Sequence, residues 1–333
     1  MINKKVLKNI EPFNDIFYKG CFYSSLFPVI SSFNRNIMSV LTNDIIIYNY
    51  AKDGNTILLN KIFKPVKDLE EVMHGELITV KTYTDCTDII GFISAEISNE
   101  KPIVIWVDSF YQSNRCDTYM KKHWPHTLLV YGYDNDSSTF DIIEHNHHES
   151  LSYQKVVIAY QDTVDAYKGY LENFEQNSDS SIFVFNSDSD KSGNHDLQSN
   201  DKYQSTYIKN LHSSITIISR GIEDLKAFTR DFYLIISNEE VLFANMEGLL
   251  EGVNSIINAK QAEKYKITKL FPELKEPIDT LDEIIKHWNY FRTICGKFFY
   301  SSNYRKKDFD NALKRLDGIY LLEQKYLSDI LKI

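Results

Sequence analysis

Cys21 is the side chain that the sequence places best to act as a nucleophile. It follows Gly20 and precedes FYSSLFPVISSF, whose apolar residues are typical of a buried helix beginning at or near the cysteine. The first turn of a helix offers unpaired N–H groups and the positive end of the dipole, and both favour a thiolate and an oxyanion. A small buried cysteine is the structural alternative. Pro28 predicts that the helix is bent or ends early.

His126 is the candidate base. It opens HTLLVYGYDNDSSTFDIIEH, a pattern of two strands around a polar turn. An antiparallel hairpin centred near Asn135 would bring Glu144 opposite His126, where a carboxylate orients the imidazole and stabilises its charged form. Asp141 and Asn146 are alternatives for this third position, since a small shift of the turn changes the partner. Asp141 is the less suitable of the two because its parity puts it on the other face.

Three histidines lie close together in HNHH, residues 145–148. They do not wrap one tetrahedral ion unless the backbone turns, and no distant Cys/His pair with ligand spacing completes the set. We therefore expect no metal here, and interpret the segment as an exposed loop or as polar groups supporting the site. No nucleotide-binding, metalloprotease or serine-hydrolase motif is present, so we expect no cofactor.

The remaining candidates are weaker. Asp108 and Tyr111 end the apolar segment PIVIWVDSFY and are candidates for substrate binding, although a carboxylate at a strand end is often a turn residue or a cap. Cys86, Cys116 and Cys295 have no histidine or carboxylate at a suggestive spacing. Four scattered cysteines in 333 residues do not indicate a disulfide framework, so free thiols are expected.

The elements that must position these residues fall into two regions. Residues 1–175 predict an α+β domain, with a hairpin over 44–63, a strand over 76–83, a helix over 87–98, a strand over 102–110 and the hairpin that contains His126. Residues 176–204 are rich in Ser, Asp and Asn and predict a linker or exposed loop, in which only IFVF could pack. Residues 205–333 repeat apolar positions every three to four residues, which predicts an all-α domain.

Composition excludes some classes of protein. The net charge of −9 gives no basic stripe for nucleic acid, so we expect no nucleic-acid partner. The N-terminus has no apolar segment typical of a signal peptide, and no run of about 18 apolar residues occurs. The sequence therefore predicts a cytoplasmic protein without a membrane span.

Taken together, GCFYSS, PIVIWVDSFYQSNR and YMKKHWPHTLLVYGYD resemble the N-terminal domain of the butirosin biosynthesis protein H-like family, over about residues 10–165. The segments VDSFY and HTLLVYGYD are the most specific. Members of that family are papain-like cysteine enzymes. The resemblance implies a papain-like fold in the first domain, with Cys21 as nucleophile, His126 as base and Glu144 as orienting acid.

The family is thought to move an acyl group from a carrier-protein thioester, through the cysteine, to an amine. The resemblance therefore implies an acyl or peptidyl carrier protein and an amine-bearing small molecule as partners, in secondary-metabolite biosynthesis. Papain-like enzymes often carry Gln or Asn about six residues before the cysteine as an oxyanion donor. That position is Asp15 here, so Asn14 is the better candidate.

Two other functions stay open. Hydrolysis at the same cysteine would make the chain a thioesterase or a peptidase, and a catalytically dead papain fold would serve as a scaffold. Glu144 in place of the usual Asp, and Pro28, motivate the scaffold. The apolar faces of the helical domain would suit carrier-protein docking, a lid or a homodimer equally.

Overall fold

The computed structural model describes residues 3–145, 151–174, 180–187 and 200–333. Asn146, an alternative for the third site position, and His147 and His148 of HNHH lie outside these described residues. The chain divides into two compact units. The first consists of residues 1–39 and 68–198, and the second of residues 40–67 and 199–333.

The elements are numbered along the chain. The strands are β1 (Lys4–Val6), β2 (Asp44–Asp53), β3 (Thr56–Pro65), β4 (Ile78–Tyr83), β5 (Ile103–Asp108), β6 (Pro125–Asp134), β7 (Thr139–Glu144), β8 (Gln154–Ala159) and β9 (Ile182–Ser187). The helices are α1 (Cys21–Ser32), α2 (Met38–Asn43), α3 (Leu69–Gly75), α4 (Ile89–Ser98), α5 (Tyr160–Asn173), α6 (Asp201–Ser213), α7 (Ile215–Ile235), α8 (Glu239–Leu270), α9 (Lys275–Ser301) and α10 (Lys306–Ile330).

The first unit is built on an antiparallel sheet in the order β4-β9-β5-β6-β7-β8, and β1 pairs with the far end of β6. Strands β5 and β6 are buried on both faces, which explains their nearly continuous apolar runs. Helix α1 packs against β6, and α5 packs against β5. The centre of the sheet is thereby covered, and β6 is fixed as the strand on which a site can be built.

Strand β9 is the IFVF segment of the predicted linker. It pairs with both β4 and β5, so it lies inside the sheet. Phe185 is fully buried and Val184 nearly so. A short apolar segment between two polar stretches gives no sign of its partners in sequence, and the boundary predicted at residue 176 therefore fell before the last strand of the sheet.

The second unit combines the helices α6–α10 with the hairpin β2–β3, in which Asp44 pairs with Pro65 and Asp53 with Thr56. Helices approach this hairpin closely. A Cβ atom on Gly252 of α8 would lie 2.0 Å from the carbonyl oxygen of Leu59, and one on Gly221 of α7 would lie 3.0 Å from the backbone of Tyr48. Glycine at these two positions lets the helices contact the strands directly.

The hairpin β2–β3 belongs to a different unit from the one predicted. The sequence placed the hairpin with the first domain, because it precedes the other strands, whereas it groups with the helical region. A hairpin with an apolar face packs on helices or on a sheet with the same period-2 pattern, so its partner cannot be predicted from periodicity. None of the helices in the described residues is long and apolar enough to cross a membrane.

Candidate active site

Cys21 is the first residue of α1, as predicted. Gly20 precedes it in an extended conformation, and no side chain caps the helix. The first N–H groups of a helix have no intrahelical partners, so the N-terminus of α1 can stabilise negative charge. Lys19 lies in the left-handed region with a φ of 56°, where the chain turns into the helix. The helix continues through Pro28 to Ser32, so the predicted early end does not occur.

Contacts between α1 and the start of β6 hold the thiol in place. Ser25 of α1 and Thr127 of β6 share a buried hydrogen bond of 3.1 Å between their hydroxyl groups. Thr127 also acts on Cys21, because its polar groups lower the pKa of that thiol. Thr127 is therefore a second group beside the thiol, and one that sequence reasoning missed, although it directly follows His126.

His126 is the principal partner of Cys21. The imidazole acts on the thiol by its charge and by a polar interaction between the two side chains, and each group shifts the pKa of the other. Burial raises the pKa of Cys21, but His126 and, to a smaller extent, Thr127 lower it by more, so the pKa lies below its ordinary value. A thiolate is the nucleophilic form of cysteine, and an adjacent imidazolium is a known way to obtain it near neutral pH.

Glu144 completes the arrangement. Its Oε1 lies 3.0 Å from Nε2 of His126, which leaves Nδ1 as the ring nitrogen for Cys21. Burial lowers the pKa of His126, yet the charges of Glu144 and Cys21 outweigh it and raise the pKa to about 9. Burial raises the pKa of Glu144, but His126 and Arg115 hold it down at about 2. The three groups together favour a thiolate, an imidazolium and a carboxylate.

The register of the hairpin differs from the predicted one. Leu129 pairs with Ile143, and a bulge lies between Val130 and Gly132. Continuing this register one residue places Glu144 beside Leu128, two positions from His126 on the same face. A diagonal pair of this kind is within reach of long side chains, and glutamate has the extra length. Asp141 pairs with Gly132, and within the described residues no hydrogen bond or ion pair joins its side chain to His126, so the parity argument for Glu144 holds.

A buried polar shell surrounds Glu144. The Nε2 of Gln112 donates to its Oε2 at 2.9 Å, and the backbone N–H of His145 donates to Oε1 at 2.7 Å. The guanidinium of Arg115 is fully buried, 3.4 Å from Oε1, and makes a bidentate pair with Asp117 at 3.0 Å for both bonds. These donors hold the carboxylate of Glu144 in the orientation in which its Oε1 contacts Nε2 of His126.

No pattern in the sequence predicts this shell. Gln112 and Arg115 lie in an irregular polar stretch after β5, where no periodicity separates buried from exposed positions. His145 was interpreted with HNHH as part of an exposed loop or as a supporting group. It is buried, and its ring lies 4.5 Å from that of Tyr153. The supporting role is therefore the one that its position suits.

Tyr153 is a further group beside the nucleophile. It is buried, and its pKa is raised by burial and by the charges of Glu144 and Cys21, although Ser24 of α1 lowers it in part. Because its pKa is raised, Tyr153 is a neutral hydrogen-bond donor at neutral pH.

Asn14, the predicted oxyanion donor, has a different partner in this structure. Its Nδ2 donates to the carbonyl oxygen of Tyr153 at 3.0 Å, and its Oδ1 accepts from the N–H of Tyr153 at 2.8 Å. Both ends of the side-chain amide are thus engaged by backbone. This geometry favours a role in holding the segment that carries Tyr153, with the helix N-terminus as the source of oxyanion donors.

The two roles of Asn14 give different results on substitution. We expect Asn14→Ala to lower the free energy of unfolding by about 1–3 kcal/mol, because two partly buried bonds are lost, and to leave the acylation rate of folded protein within about threefold of wild type. Urea denaturation and single-turnover acylation would measure both. A rate loss of about 100-fold with unchanged stability would instead establish Asn14 as an oxyanion donor.

Asp108 and Tyr111, the predicted substrate-binding residues, belong to another cluster. Asp108 is fully buried and accepts hydrogen bonds from the N–H groups of Phe110 and Trp124, and it lies 2.6 Å from Nδ1 of His123. Tyr111 packs so closely on Gly169 of α5 that a Cβ atom there would lie 2.3 Å from its ring. Asp108 therefore organises the turn after β5. Within the described residues, no hydrogen bond or ion pair joins either side chain to Cys21 or His126.

One group of side chains has the composition of a metal site. A ligand atom from each of His126, Glu144 and His145 lies within 4.8 Å of the others. Nη1 of Arg115 lies 3.4 Å from both the Glu144 oxygen and Nε2 of His145. A permanently charged guanidinium at that distance repels a second cation, so the group fits an acid–base role better than a metal role.

The pKa values of two other thiols are shifted in the opposite direction. Cys295 is fully buried and its pKa is raised by burial, and the pKa of Cys86 is also raised, chiefly by burial. Of the thiols whose pKa departs from its ordinary value, Cys21 alone has it lowered within the described part of the chain. The chain matches no protein-family model and no curated protein.

Proposed function

We propose that this protein is a papain-like cysteine acyltransferase that moves an acyl, aminoacyl or peptidyl group from a thioester to an amine. The observation that carries the proposal is that His126 lies 3.0 Å from Glu144 and lowers the pKa of the Cys21 thiol, which stands at the N-terminus of α1. This set contains a nucleophile, a base and an orienting acid, which is the minimum that nucleophilic acyl transfer needs.

The first half-reaction loads the enzyme. The Cys21 thiolate attacks the thioester carbonyl, and the N–H groups at the start of α1 stabilise the oxyanion. The carbon–sulfur bond of the donor then breaks, and His126 gives its proton to the departing thiolate. The products are the free donor thiol and an acyl group on Cys21, with His126 neutral.

The second half-reaction releases the acyl group. Neutral His126 takes a proton from the amine as the nitrogen attacks the acyl carbonyl, and the carbon–sulfur bond to Cys21 breaks. The amide leaves, and the thiolate and imidazolium are restored. No redox step or cofactor enters the scheme, because the chain's own residues carry every proton and electron pair.

The donor and acceptor are assigned from the family resemblance of the first region. In this proposal the donor is an acyl or peptidyl carrier protein, and the acceptor is an amine-bearing small molecule of a secondary-metabolite pathway. Both imply the cytoplasm, where carrier-protein thioesters and reduced thiols coexist. Hydrolysis would use the same acyl-enzyme with water in place of the amine, so the two reactions separate only at the second step.

The test is intact-protein mass spectrometry after incubation with acyl-pantetheine thioesters of different chain length. We expect wild type to gain the mass of one acyl group and Cys21→Ala to gain none. Cys86→Ala is the matched control, because that thiol is partly exposed but has a raised pKa, and it should load like wild type. Far-UV circular dichroism would establish that all three proteins are folded.

Adding amines to the loaded enzyme decides the outcome of the second step. Loss of the adduct with formation of an amide supports transfer. Loss at an equal rate with and without amine, with release of free acid, would replace transfer by thioesterase or peptidase activity. No adduct with any thioester, together with slow alkylation of Cys21 at neutral pH, would overturn the enzyme proposal and favour a scaffold.

A further inference from the structure

The second unit contains a cavity of about 50 Å³ that the acyl-transfer proposal does not use. It is lined by the hairpin β2–β3 and by α6, α7, α8 and α10. Each ordered water needs roughly 10–15 Å³ measured in this way, so the cavity has room for about three to five non-hydrogen atoms. Its lining is unusual because three lysines contribute to it, and lysine is rarely buried without a partner.

The hairpin and α8 supply most of the charge. Lys61 and Asp44 come from the hairpin, and Lys260, Glu263 and Lys266 come from α8. All five are buried, none with more than 8% of its surface exposed. The cavity is therefore a place where charged groups have lost their water and depend on each other.

Both glutamates accept hydrogen bonds from donors inside this unit. Glu323 of α10 accepts one from the ammonium group of Lys260, at 2.6 Å, and one from the hydroxyl of Tyr48. Glu263 forms an ion pair with Lys266 at 2.8 Å. It also accepts hydrogen bonds from the hydroxyls of Tyr207 of α6, at 2.9 Å, and Tyr326 of α10, at 2.8 Å. Charge-assisted bonds of this number hold both carboxylates in the ionised form, and the pKa of each is lowered.

Lys61 differs from the other two lysines. Within the described residues, no carboxylate oxygen lies within 4.0 Å of its ammonium nitrogen. The nitrogen instead lies 3.2 Å from the centre of the Tyr48 ring and next to Lys260. Burial and the charge of Lys260 lower the pKa of Lys61 well below its ordinary value, although Glu323 and Glu263 oppose this.

Counting hydrogen-bond capacity defines what could occupy the cavity. Each lysine has three donors when charged, and Lys260 and Lys266 each use one on a glutamate. Glu263 already accepts three hydrogen bonds and Glu323 two, and Asp44 is the third carboxylate of the lining. Asp44 is not among the main charges that act on Lys61. A guest beside Lys61 must therefore bring acceptor atoms, and a negative charge on it would compensate the ammonium group of Lys61.

We propose that this cavity is a binding site for a small oxyanion of the carboxylate class, of the size of formate, acetate or bicarbonate. The guest lies against Lys61, and Lys260 and Lys266 supply further N–H donors. Formate has three non-hydrogen atoms and the other two have four, so each fits the volume. The proposal concerns the second unit alone and does not depend on acyl transfer at Cys21.

Binding should be coupled to proton uptake. Without a guest, Lys61 gives up its proton easily; an anion beside it favours the ammonium form and raises its pKa. Of the other titratable groups that line the cavity, Glu263 and Glu323 stay charged because their pKa values are lowered, and Tyr48, Tyr207 and Tyr326 stay neutral because theirs are raised. Asp44, Lys260 and Lys266 are the remaining titratable groups of the lining. Affinity is therefore expected to fall as the pH rises through the lowered pKa of Lys61.

The experiment is calorimetric titration of the full-length protein with sodium formate, sodium acetate and sodium bicarbonate. Two buffers with different enthalpies of ionisation report the protons taken up, and sodium methanesulfonate, a bulkier anion, holds the ionic strength constant. We expect millimolar binding by wild type with proton uptake. Lys61→Met should weaken binding by at least about tenfold and abolish the proton uptake, because it removes a charged donor.

Lys64→Met is the matched control, because Lys64 lies on the same strand with its side chain exposed. It should bind like wild type. If Lys61→Met does not fold, Lys61→Gln keeps a donor without the charge and should show the same loss of proton uptake. Bicarbonate binding without formate or acetate binding would identify an inorganic guest within the proposed class. Equal binding by Lys61→Met and wild type, or no heat from any of the three anions at roughly 100 mM, would overturn the site.

Discussion

Replacing His126 with asparagine is expected to lower the acylation rate of Cys21 by about 10³- to 10⁴-fold, the usual contribution of a base that activates a nucleophile. Two effects combine in this loss. The thiol loses the imidazolium that lowers its pKa, so less thiolate forms at neutral pH, and the leaving thiolate loses its proton donor. Single-turnover loading from an acyl-pantetheine thioester measures the rate directly.

The pH dependence gives a second measure of the same change. In wild type, the midpoint of Cys21 alkylation by iodoacetamide should lie below the ordinary thiol pKa of 9.0, because the pKa of Cys21 is lowered. Acyl transfer should decline again as the pH rises through about 9, where His126 loses its proton. In His126→Asn the alkylation midpoint should move up to about the ordinary thiol value or above it, because burial still raises the pKa.

The matched control is His74→Asn, since His74 is exposed at the end of α3 and belongs to no part of the site. It should leave both the loading rate and the pH profile unchanged. If His126→Asn loaded as fast as wild type, the thiol would not depend on this imidazole, and the pairing seen in the structure would have no catalytic meaning.

Replacing Arg115 with methionine is expected to destabilise the first unit by about 3–5 kcal/mol, the cost of removing one partner from a buried ion pair. The side chain is fully buried and is shared by Asp117 and Glu144. Methionine fills much of the volume but leaves Asp117 without its bidentate partner. At roughly 2–4 °C per kcal/mol, the melting temperature of this unit should fall by roughly 10 °C.

A second substitution identifies the cause of that loss. Arg115→Met combined with Asp117→Leu removes both members of the bidentate pair, so stability should recover partly, and the two changes should be non-additive by about 1–3 kcal/mol. Lys168→Met is the control for loss of a cation, because Lys168 is exposed on α5. A change below about 1 kcal/mol for Arg115→Met would mean that the guanidinium is not needed to hold Asp117 and Glu144.

Sequence reasoning found the residues whose chemistry is evident from local pattern. Cys21 could be placed at a helix start because the apolar spacing after it is helical, and Glu144 could be placed on the face of His126 because parity along a strand survives a shift of two residues. The register itself was off by two, because the turn is centred between Asp136 and Ser137, where Asp134 pairs with Thr139, and not near Asn135. This displaces the register by three positions, and the bulge between Val130 and Gly132 takes back one of them.

The contacts that sequence reasoning missed are long-range. Arg115 and Gln112 approach Glu144 from a loop about 30 positions earlier in the chain, and Asn14 meets the backbone of Tyr153 from more than a hundred positions away. Such contacts depend on tertiary packing, which no periodicity encodes. The hairpin β2–β3 is the same case at the level of the fold, since its apolar face fits helices and sheets equally.

The way in which the two units share the chain bears on how the protein is made. Hairpin β2–β3 is complete at Pro65, yet the helices that cover it begin at Asp201. During translation at roughly 5–20 residues per second, the hairpin would wait roughly ten seconds or more with its apolar face uncovered. In the same interval the first sheet cannot close, because β9, which lies between β4 and β5, emerges last.

No single cut of the gene yields either unit whole. Separate expression of the units therefore requires rejoining chain ends: residues 39 and 68 for one unit, and residues 67 and 199 for the other.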